Sequence, residues 1–460
     1  MTKRPPVRVA TVVVLALLTA GCTSSGPETA GGTATTAAAD TAVVTTGPTT
    51  SAVGSPTSVA NTNSFRGVTA DTITVGIAVP DFDALQAAGI PNYQGDNETV
   101  FGAYIDDVND AGGVHGRMIE PVYVDFDFTD PVSQDRACVE LTEDHEVFIV
   151  LYGLLSESNL CFTDVHQTMV MTDQFQTTSL QDRSGDTLWL QLRAADDEQI
   201  RILGSVVAES GRLDDKTVGI LANGSLNDGA DGELLRAQLA ELGHEASVIV
   251  TPAGLTDIGQ QEAEFRIIAE RFQADGVDFV FNLLGGGNAI DIFAGAGFTP
   301  ELAYSVLTSA VDGAADPSLL DGAISVAPRP DEVFWEDPTF RAACVDPVVD
   351  AHPDLAEEFD RIPTGDEQAA GVTSWLNPTR IACNQVFLLA QIGEYAGADL
   401  TNDSFRAALD ELGPVRLHGY GQATFASEGK WDGLDEFTIQ EYDAAADLVR
   451  VVGDAIVIDR

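Results

Sequence analysis

Apolar and polar residues follow one another along most of this chain in blocks typical of buried strands separated by amphipathic helices. The segment 72–79, TITVGIAV, is apolar over the length of a strand, and 97–109 has apolar residues at helical spacing. A glycine-rich turn and a second strand-like segment, 119–126, come next. Strands that are apolar on both faces are typical of parallel sheets covered by helices. This pattern predicts an α/β fold with parallel strands flanked by helices.

The same pattern begins again in the middle of the chain. It predicts strands at 217–222, 246–250 and 277–284 and helices at 231–242 and 261–274. Two such halves predict two open sheets, and open parallel sheets bind ligands outside the carboxyl ends of their strands. We therefore expect one ligand between two facing lobes.

Residues after 322 are less regular. A long helix is predicted at 372–395, with Pro378 near a kink or a restart, and another helix at 403–412. Two strand-like segments, 437–442 and 448–452, end the chain.

The first residues have a different pattern. Three basic residues precede the apolar run 9–18, which at roughly ten residues is too short to span a bilayer. The following LTAGC, 18–22, resembles the lipobox of bacterial lipoproteins, with Thr19 replacing the usual aliphatic residue. The resemblance implies a signal peptide at 1–21 and a lipid on Cys22 that holds the protein on the extracytoplasmic face of the cell membrane. The alternative is an ordinary secretory signal that happens to contain a cysteine.

Residues 22–67 are almost entirely Ser, Thr, Ala, Gly, Pro and Val. Such a composition cannot bury enough apolar surface to offset chain entropy, so it predicts a disordered, lipidated tether. A flexible coil of about forty residues has an end-to-end distance of roughly 35 Å.

Charge and cysteine content narrow the class of protein. The 72 acidic and 23 basic residues give a net charge of −49, which excludes nucleic acid as a partner. Apart from Cys22, four cysteines remain, and in an oxidising compartment they allow three pairings, of which we favour the pairs that are neighbours in sequence. No cysteine or histidine spacing fits zinc, and the acidic run 125–130 lacks the glycine and distal glutamate of a calcium-binding loop. We expect neither metal nor cofactor.

The segment 108–125, VNDAGGVHGRMIEPVYVD, resembles a signature of the solute-binding proteins of branched-chain amino acid ABC transporters. Further segments that resemble this family are 73–80, 130–131, 150–156, 193–199 and 294–300. The resemblance implies a type I periplasmic-binding fold, a two-lobed Venus flytrap in which each lobe is a parallel sheet flanked by helices. Its lobes would comprise 68–194 with 328–416, and 195–327 with 417–460. It also implies the disulfides Cys138–Cys161 and Cys344–Cys383, and we expect a monomer.

The resemblance also implies ligand-binding residues in the first lobe. Ser156, with Gly153, would bind a ligand carboxylate, although Ser156 would also suit the N-cap of a helix. Thr172 and Asp173 follow a strand at the position where the family holds an amino and carboxylate pair, although Asp173 would also suit the cap of a turn. Tyr93 would lie at the mouth of the cleft, or be an ordinary exposed loop tyrosine.

Three positions are expected to line the cleft from the second lobe. Asn227 stands where many family members carry a tyrosine that stacks on the ligand, and this departure puts an amino-acid ligand in doubt. Gly286 belongs to the facing loop GGGN, 285–288, which would otherwise be only a flexible turn, and Asp291 would reach the cleft.

Motifs for catalysis are missing from the sequence. It has no Gly-x-Ser-x-Gly elbow, no HExxH and no phosphate-binding loop. We therefore expect a lipoprotein, not an enzyme, that captures a small polar solute (an amino acid, amide or small carboxylate) and delivers it to an ABC import permease. The alternatives are a ligand-sensing lipoprotein for a signalling partner and, less favoured, a carboxylate-dependent extracellular hydrolase.

Overall fold

The computed structural model describes residues 60–87, 93–173, 176–224, 229–252, 258–284, 288–364, 367–368 and 370–460. Its strands are β1 Thr72–Pro80, β2 Met118–Phe126, β3 Ile149–Tyr152, β4 Met169–Thr172, β5 Trp189–Gln191, β6 Val218–Ala222, β7 Ala246–Val250, β8 Phe279–Asn282, β9 Glu301–Tyr304, β10 Ile324–Ala327, β11 Val415–Leu417, β12 Gly421–Ala423, β13 Glu436–Asp443 and β14 Leu448–Val457.

The α-helices are α1 Phe82–Ala87, α2 Asn97–Asp110, α3 Pro131–Val139, α4 Thr178–Arg183, α5 Asp196–Glu209, α6 Ala230–Glu241, α7 Ile258–Ala274, α8 Asn288–Gly295, α9 Leu307–Gly313, α10 Asp331–Trp335, α11 Pro338–Phe340, α12 Asp346–Ala351, α13 Leu376–Ala396, α14 Asn402–Ala407 and α15 Leu409–Leu412. Shorter helical turns are Glu140–Asp144, Ser156–Asn159, Cys161–Val165, Pro317–Leu320, Arg341–Val345 and Pro353–Leu355. Among the described residues, no helix combines the length and the hydrophobicity that crossing a membrane would require.

The first sheet has the strand order β2-β1-β3-β4-β5, and all its strands are parallel. Alternate residues of β1 pack into two different cores, with Ile77 on the side of α2 and Ala78 on the side of α3. Because both faces are covered, this strand is apolar at nearly every position, which explains the pattern in the sequence.

The second sheet has the order β14-β13-β10-β9-β8-β6-β7. The strands β6 to β10 run parallel, and the C-terminal strands β13 and β14 add to the β10 edge in antiparallel orientation. Helix α13, although late in sequence, packs on α2 and β3 of the first half. Each half of the molecule is therefore assembled from separate parts of the chain.

Residues 61–67 correct the predicted extent of the tether, which we had placed at 22–67. The side chains of Asn61 and Ser64 donate hydrogen bonds to the carbonyls of His115 and Leu400, and the Phe65 ring packs edge-on against Phe148. These contacts fix the segment to the body, and its two asparagines, Phe65 and Arg66 also distinguish its composition from that of residues 22–60. The signal peptide, Cys22 and the rest of the tether up to residue 59 lie outside the described residues.

The start of the long helix also differs from the prediction. Helix α13 begins at Leu376 because the preceding Ser374 pairs with the segment that precedes α2, where the Ser374 amide donates to the Tyr93 carbonyl at 2.8 Å. Pro378 consequently lies in the first turn, where its missing N–H leaves no hydrogen bond unmade, and it causes neither a kink nor a restart. The predicted helix 403–412 is divided into α14 and α15 at Ala408.

Two disulfides, Cys138–Cys161 and Cys344–Cys383, are present, which confirms the predicted pairing. The first joins α3 to the helical turn Cys161–Val165, and the second joins the turn Arg341–Val345 to α13.

Candidate functional site

The loop after β3 is held in one conformation by Asn159. Its side chain accepts a hydrogen bond from the Leu154 amide at 2.8 Å and donates to the Leu154 carbonyl at 2.6 Å. Gly153 has a φ of 76°, and a Cβ there would lie 2.5 Å from the Thr172 side chain and 2.8 Å from that of Asn159. Only glycine fits this position, so the backbone of the loop is preorganised at the carboxyl edge of the first sheet.

Ser156 lies on the exposed side of this loop, at the first position of the turn Ser156–Asn159 and with a φ of 40°. The residue that caps the turn is Leu155, and no side chain caps it. The structure therefore gives Ser156 no capping role, and its contact with a ligand stays a prediction.

Thr172 is buried at the end of β4, and its hydroxyl accepts a hydrogen bond from the Trp189 indole at 3.1 Å. The Gln385 side chain of α13 ties the ends of β3 and β4 together, because it accepts from the Tyr152 amide at 2.7 Å and donates to the Met171 carbonyl at 3.0 Å. These contacts fix the ends of β3 and β4, and with them the backbone of Asp173, the residue that follows β4.

Asp173 is the most unusual of the predicted ligand residues. It is only 7% exposed, and its Oδ1 has no hydrogen-bond partner among the residues described. Burial raises the pKa of this carboxyl, and the charges of Arg193 and Arg380 only partly oppose the increase. A carboxylate this deeply buried, with one oxygen unbonded, is costly unless a further group approaches it.

Arg380, on α13, lies next to Asp173 but is bonded elsewhere. It donates to Asp331 at 3.0 Å and to Asn377 at 2.8 Å. Its guanidinium group also lies 5.2 Å from the centroid of the Phe334 ring and 4.7 Å from that of Tyr420. The Tyr420 hydroxyl lies beside the Asp173 carboxylate, and the interaction between them lowers the pKa of Asp173 and raises that of Tyr420.

Arg193 follows β5 and acts electrostatically on Asp173, Asp196 and Asp331. Asp196 is the first residue of α5, and burial, together with the nearby charges of Asp231 and Asp197, raises its pKa to about 7 against the opposing effect of Arg193. We name five of these residues the strand-end cluster: Asp173, Arg193, Asp331, Arg380 and Tyr420.

Sequence reasoning identified Asp173 alone from the strand-end cluster. Asp331, Arg380 and Tyr420 reach it from α10, α13 and the segment between β11 and β12, and none of them belongs to a local motif. One signal was present: Arg380 is a cation in a helix, LNPTRIACNQVFLLAQIGEYA, that is otherwise mostly uncharged, in a chain with few basic residues. Such a residue is usually paired inside the fold.

The other predicted residues lie apart from this cluster or outside the described residues. The Tyr93 carbonyl bonds to Ser374, while its half-buried ring faces Gly371. The Asp291 carboxylate accepts from the amides of Ala315 and Asp316 at 2.8 and 3.0 Å, which gives it a structural role. Asn227 and Gly286 are not described, so their contact with a ligand stays a prediction.

A second group of buried charges, the crossover cluster of Lys430, Asp432, Asp435 and Arg460, lies where the chain passes between the sheets. Arg460 donates to Asp432 at 2.6 Å and to Asp435 at 3.3 Å, and Lys430 donates to Asp435 at 3.0 Å. The Ala195 amide, on the crossover that precedes α5, donates to Asp432 at 2.9 Å. The cluster thus links the crossover at Ala195, the segment 430–435 and the C-terminal residue Arg460.

The described residues include one potential metal-binding group, formed by Cys138, Cys161 and His166. The two sulfurs are joined in a disulfide and are therefore not thiolate ligands. In contrast, the strand-end cluster offers carboxylate, guanidinium and hydroxyl groups at the carboxyl edge of a parallel sheet, an arrangement suited to a small polar ligand.

Comparisons with known proteins identify the fold. The sequence family described as periplasmic binding protein matches residues 72–433. Among curated proteins, none matches this chain.

Three solved structures illustrate the likeness. An ABC transporter substrate-binding protein of Desulfitobacterium hafniense in complex with Leu has a TM-score of 0.56 at 16% identity, over 83% of this chain and 100% of that one. A Brucella ovis protein that binds leucine, isoleucine, valine, threonine and alanine, in a closed conformation, has a TM-score of 0.58 at 14% identity, over 85% and 97%. A solute-binding protein of Rhodopseudomonas palustris BisB5 in complex with 3,4-dihydroxybenzoic acid has a TM-score of 0.56 at 15% identity, over 84% and 98%.

Proposed function

Because this chain belongs to the periplasmic binding protein family, we propose that it is an extracytoplasmic solute-binding lipoprotein that captures a small polar solute and delivers it to an ABC import permease. The observation that carries the proposal is the strand-end cluster. It places buried, incompletely hydrogen-bonded polar groups at the carboxyl edge of the first sheet, on residues that precede and follow the crossovers to the second sheet.

Capture would proceed by closure of the two lobes around the solute. Contacts made by both lobes exist only when the lobes are closed, so a bound solute stabilises the closed form by its differential affinity. The permease would recognise that closed form. Arg193 supports this proposal because it follows the last strand of the first sheet and acts electrostatically both on Asp173 and on Asp196 at the start of α5.

The anchoring part of the proposal relies on Cys22 and on where the described chain begins. Residue Val68 pairs with Ile73, so the N-terminal segment approaches β1 near its amino end. Asp173 follows the carboxyl end of the parallel strand β4. A tether leaving from the amino edge would keep the strand-end cluster away from the anchor and open to solute.

Calorimetry tests solute capture directly. Titrations with amino acids, amides, ureas and small carboxylates should find one with saturable, one-to-one binding, and small-angle scattering should show that the protein becomes more compact with that solute. If no solute in such a panel binds and the radius of gyration never changes, the receptor function is wrong.

A substitution at the anchor tests the localisation independently. We expect Cys22→Ser to release or mislocalise the protein, measured by fractionating cells, and to leave solute affinity unchanged in calorimetry. Retention of the variant in the membrane fraction would contradict the lipoprotein assignment, and a lower affinity would show that the tether is more than a passive spacer.

A further inference from the structure

The disulfide Cys138–Cys161 lies beside a third group of the kind that binds metals. His166 follows the helical turn that begins at Cys161, and its amide donates to the Cys161 carbonyl at 3.1 Å. The two sulfurs and a ring nitrogen of His166 all lie within 4.8 Å of one another. Because Cys138 belongs to α3, two separate elements bring these groups together, and no local spacing in the sequence reveals them.

Glu143 adds a carboxylate next to the imidazole. Its Oε1 lies 3.8 Å from Nδ1 of His166, and it belongs to the turn Glu140–Asp144 that continues α3 beyond Cys138. The His166 side chain is 16% exposed and that of Glu143 is 61% exposed, so the carboxylate is free to approach an ion held at the ring. Two thiolates, an imidazole and a carboxylate or water make up a four-ligand set that Zn²⁺ takes in proteins.

The disulfide bond is what excludes a metal ion from this group, because thiolates are the ligands and a disulfide offers none. A dithiol reductant removes that obstacle. One of its thiolates attacks the sulfur of the half-buried Cys161, Cys138 leaves as a thiolate, and the second thiol of the reductant closes its own disulfide and frees Cys161. Tetrahedral Zn²⁺ then needs sulfurs about 3.8 Å apart, a separation within the 4.8 Å that the group spans.

We propose that Cys138, Cys161 and His166 form a Zn²⁺ site when their disulfide is reduced, so that a metal ion replaces the covalent bond under reducing conditions. Thiolate and imidazole ligands select Zn²⁺ over Ca²⁺ and Mg²⁺, which prefer oxygen ligands. The site lies close to the loop after β3, because Cys161 follows Asn159, whose side chain fixes that loop, by two residues. Either the disulfide or the ion would join α3 to the chain next to this loop.

The second disulfide provides a comparison within the same chain. Cys344–Cys383 joins the turn Arg341–Val345 to α13. In the part of the chain that the structure describes, no histidine or carboxylate completes a metal-binding group with these two sulfurs. Reduction of both disulfides should therefore create one Zn²⁺ site in each chain and not two.

Reduction followed by metal titration of the full-length chain tests this inference. A Cys22→Ser background removes the one cysteine outside the two disulfides. The protein is reduced with excess dithiothreitol under nitrogen and separated from it by gel filtration. Co²⁺, a spectroscopic substitute for Zn²⁺, should then bind one to one with the intense visible bands and thiolate charge-transfer absorption of a tetrahedral site, and Zn²⁺ should displace it. The oxidised protein should show neither feature.

Paired serine variants show which cysteines hold the ion. The double variant Cys344→Ser, Cys383→Ser should keep the Co²⁺ spectrum, and the double variant Cys138→Ser, Cys161→Ser should lose it. Near-ultraviolet circular dichroism of each reduced protein, recorded with and without Zn²⁺, shows whether the fold is retained.

Histidine variants distinguish this site from chance binding to two thiolates. His166→Gln should weaken Zn²⁺ binding about tenfold or more, since even the loss of a group behind a ligand costs that much. His145→Gln is the matched control, because His145 is exposed and lies outside the group. It should change the affinity less than about twofold.

Three results would overturn the inference. They are a reduced protein that gives no thiolate spectrum with Co²⁺, a spectrum that persists without Cys138 and Cys161, and a His166→Gln variant that binds Zn²⁺ as tightly as the native chain. Loss of the near-ultraviolet signal on reduction, without recovery on adding Zn²⁺, would also contradict it, because the folded chain would then have no such site. None of these results affects the receptor function, which the solute titrations test separately.

Discussion

The strand-end and crossover clusters bury similar charged groups and differ in how completely those groups are bonded. In the crossover cluster, Asp432 and Asp435 are 5% and 2% exposed, and both accept hydrogen bonds from Arg460. The Thr424 hydroxyl adds a further donor to Asp435 at 2.7 Å. In the strand-end cluster, Asp173 is 7% exposed and its Oδ1 accepts no hydrogen bond. Burial alone therefore does not determine how completely a charged group is hydrogen-bonded.

The difference indicates separate roles for the two clusters. Fully bonded charges fix the passages of the chain between the sheets in one geometry, and removing one partner leaves the other uncompensated. Incompletely bonded charges weaken the free protein and are stabilised only when a ligand completes them. Substitution of a charged residue should therefore lower the stability of the protein in the crossover cluster and leave it unchanged or raise it in the strand-end cluster.

The largest effect is expected in the crossover cluster. Asp432→Ala removes one of the two carboxylates that Arg460 contacts and the acceptor of the Ala195 amide, and should lower the free energy of unfolding by about 3–5 kcal/mol. Chemical denaturation followed by circular dichroism measures the loss. Asp454→Ala, at an exposed position of β14, is the matched control and should change stability by less than about 0.5 kcal/mol. Similar stabilities of the two variants would show that the crossover cluster is not structural.

The contrast between the clusters also marks what the sequence can predict. The two-sheet fold and most strands followed from local signals, namely apolar periodicity and the glycine-rich signature around Gly112 and Gly113. The cysteine number left three pairings open, and the two disulfides were predicted from a preference for sequence neighbours and from the family resemblance. Asp173 was predicted because the resemblance assigns ligand contacts to the residues that directly follow this strand. Position relative to a strand is a local property, and so it can be read without the fold.

Neither cluster as a whole could be predicted, because each joins residues that are distant in sequence. Asp331 and Arg380 are 49 residues apart, and Asp432 contacts Ala195 from 237 residues away. The error at the tether has a related cause. Asn61, Ser64 and Phe65 are fixed by partners far along the chain, so their contacts could not be predicted, although Phe65 is the first aromatic residue of the chain and no asparagine precedes Asn61.

A smaller effect of opposite sign is expected at Asp173. Burial raises the pKa of its carboxyl, so the folded protein favours the neutral form and carries a penalty wherever the group is ionised. At neutral pH and without solute, Asp173→Asn should therefore leave the free energy of unfolding unchanged or raise it by up to about 1 kcal/mol. Thermal and chemical denaturation of the solute-free protein provide the measurement. A clear loss of stability would place Asp173 with the structural charges of the crossover cluster and remove the contrast.

A change in how stability depends on pH is expected at Asp196, which lies next to the strand-end cluster and interacts with Arg193. Burial, with contributions from Asp231 and Asp197, raises the pKa of this carboxyl from 3.8 to about 7. The folded state then binds the proton more tightly than the unfolded state, so the stabilising contribution is complete below pH 3.8 and is lost as pH rises to about 7.

Asp196→Asn cannot lose a proton, so the difference in unfolding free energy between variant and native protein should grow in favour of the variant through that window and stay constant above it. Denaturation curves at half-unit pH steps would resolve this change, because the native protein's other titrating groups cancel in the difference. If the difference does not vary with pH, solvent and Arg193 compensate the charge of Asp196 completely. Of these two carboxylates, only Asp173 would then carry a buried charge that is not compensated.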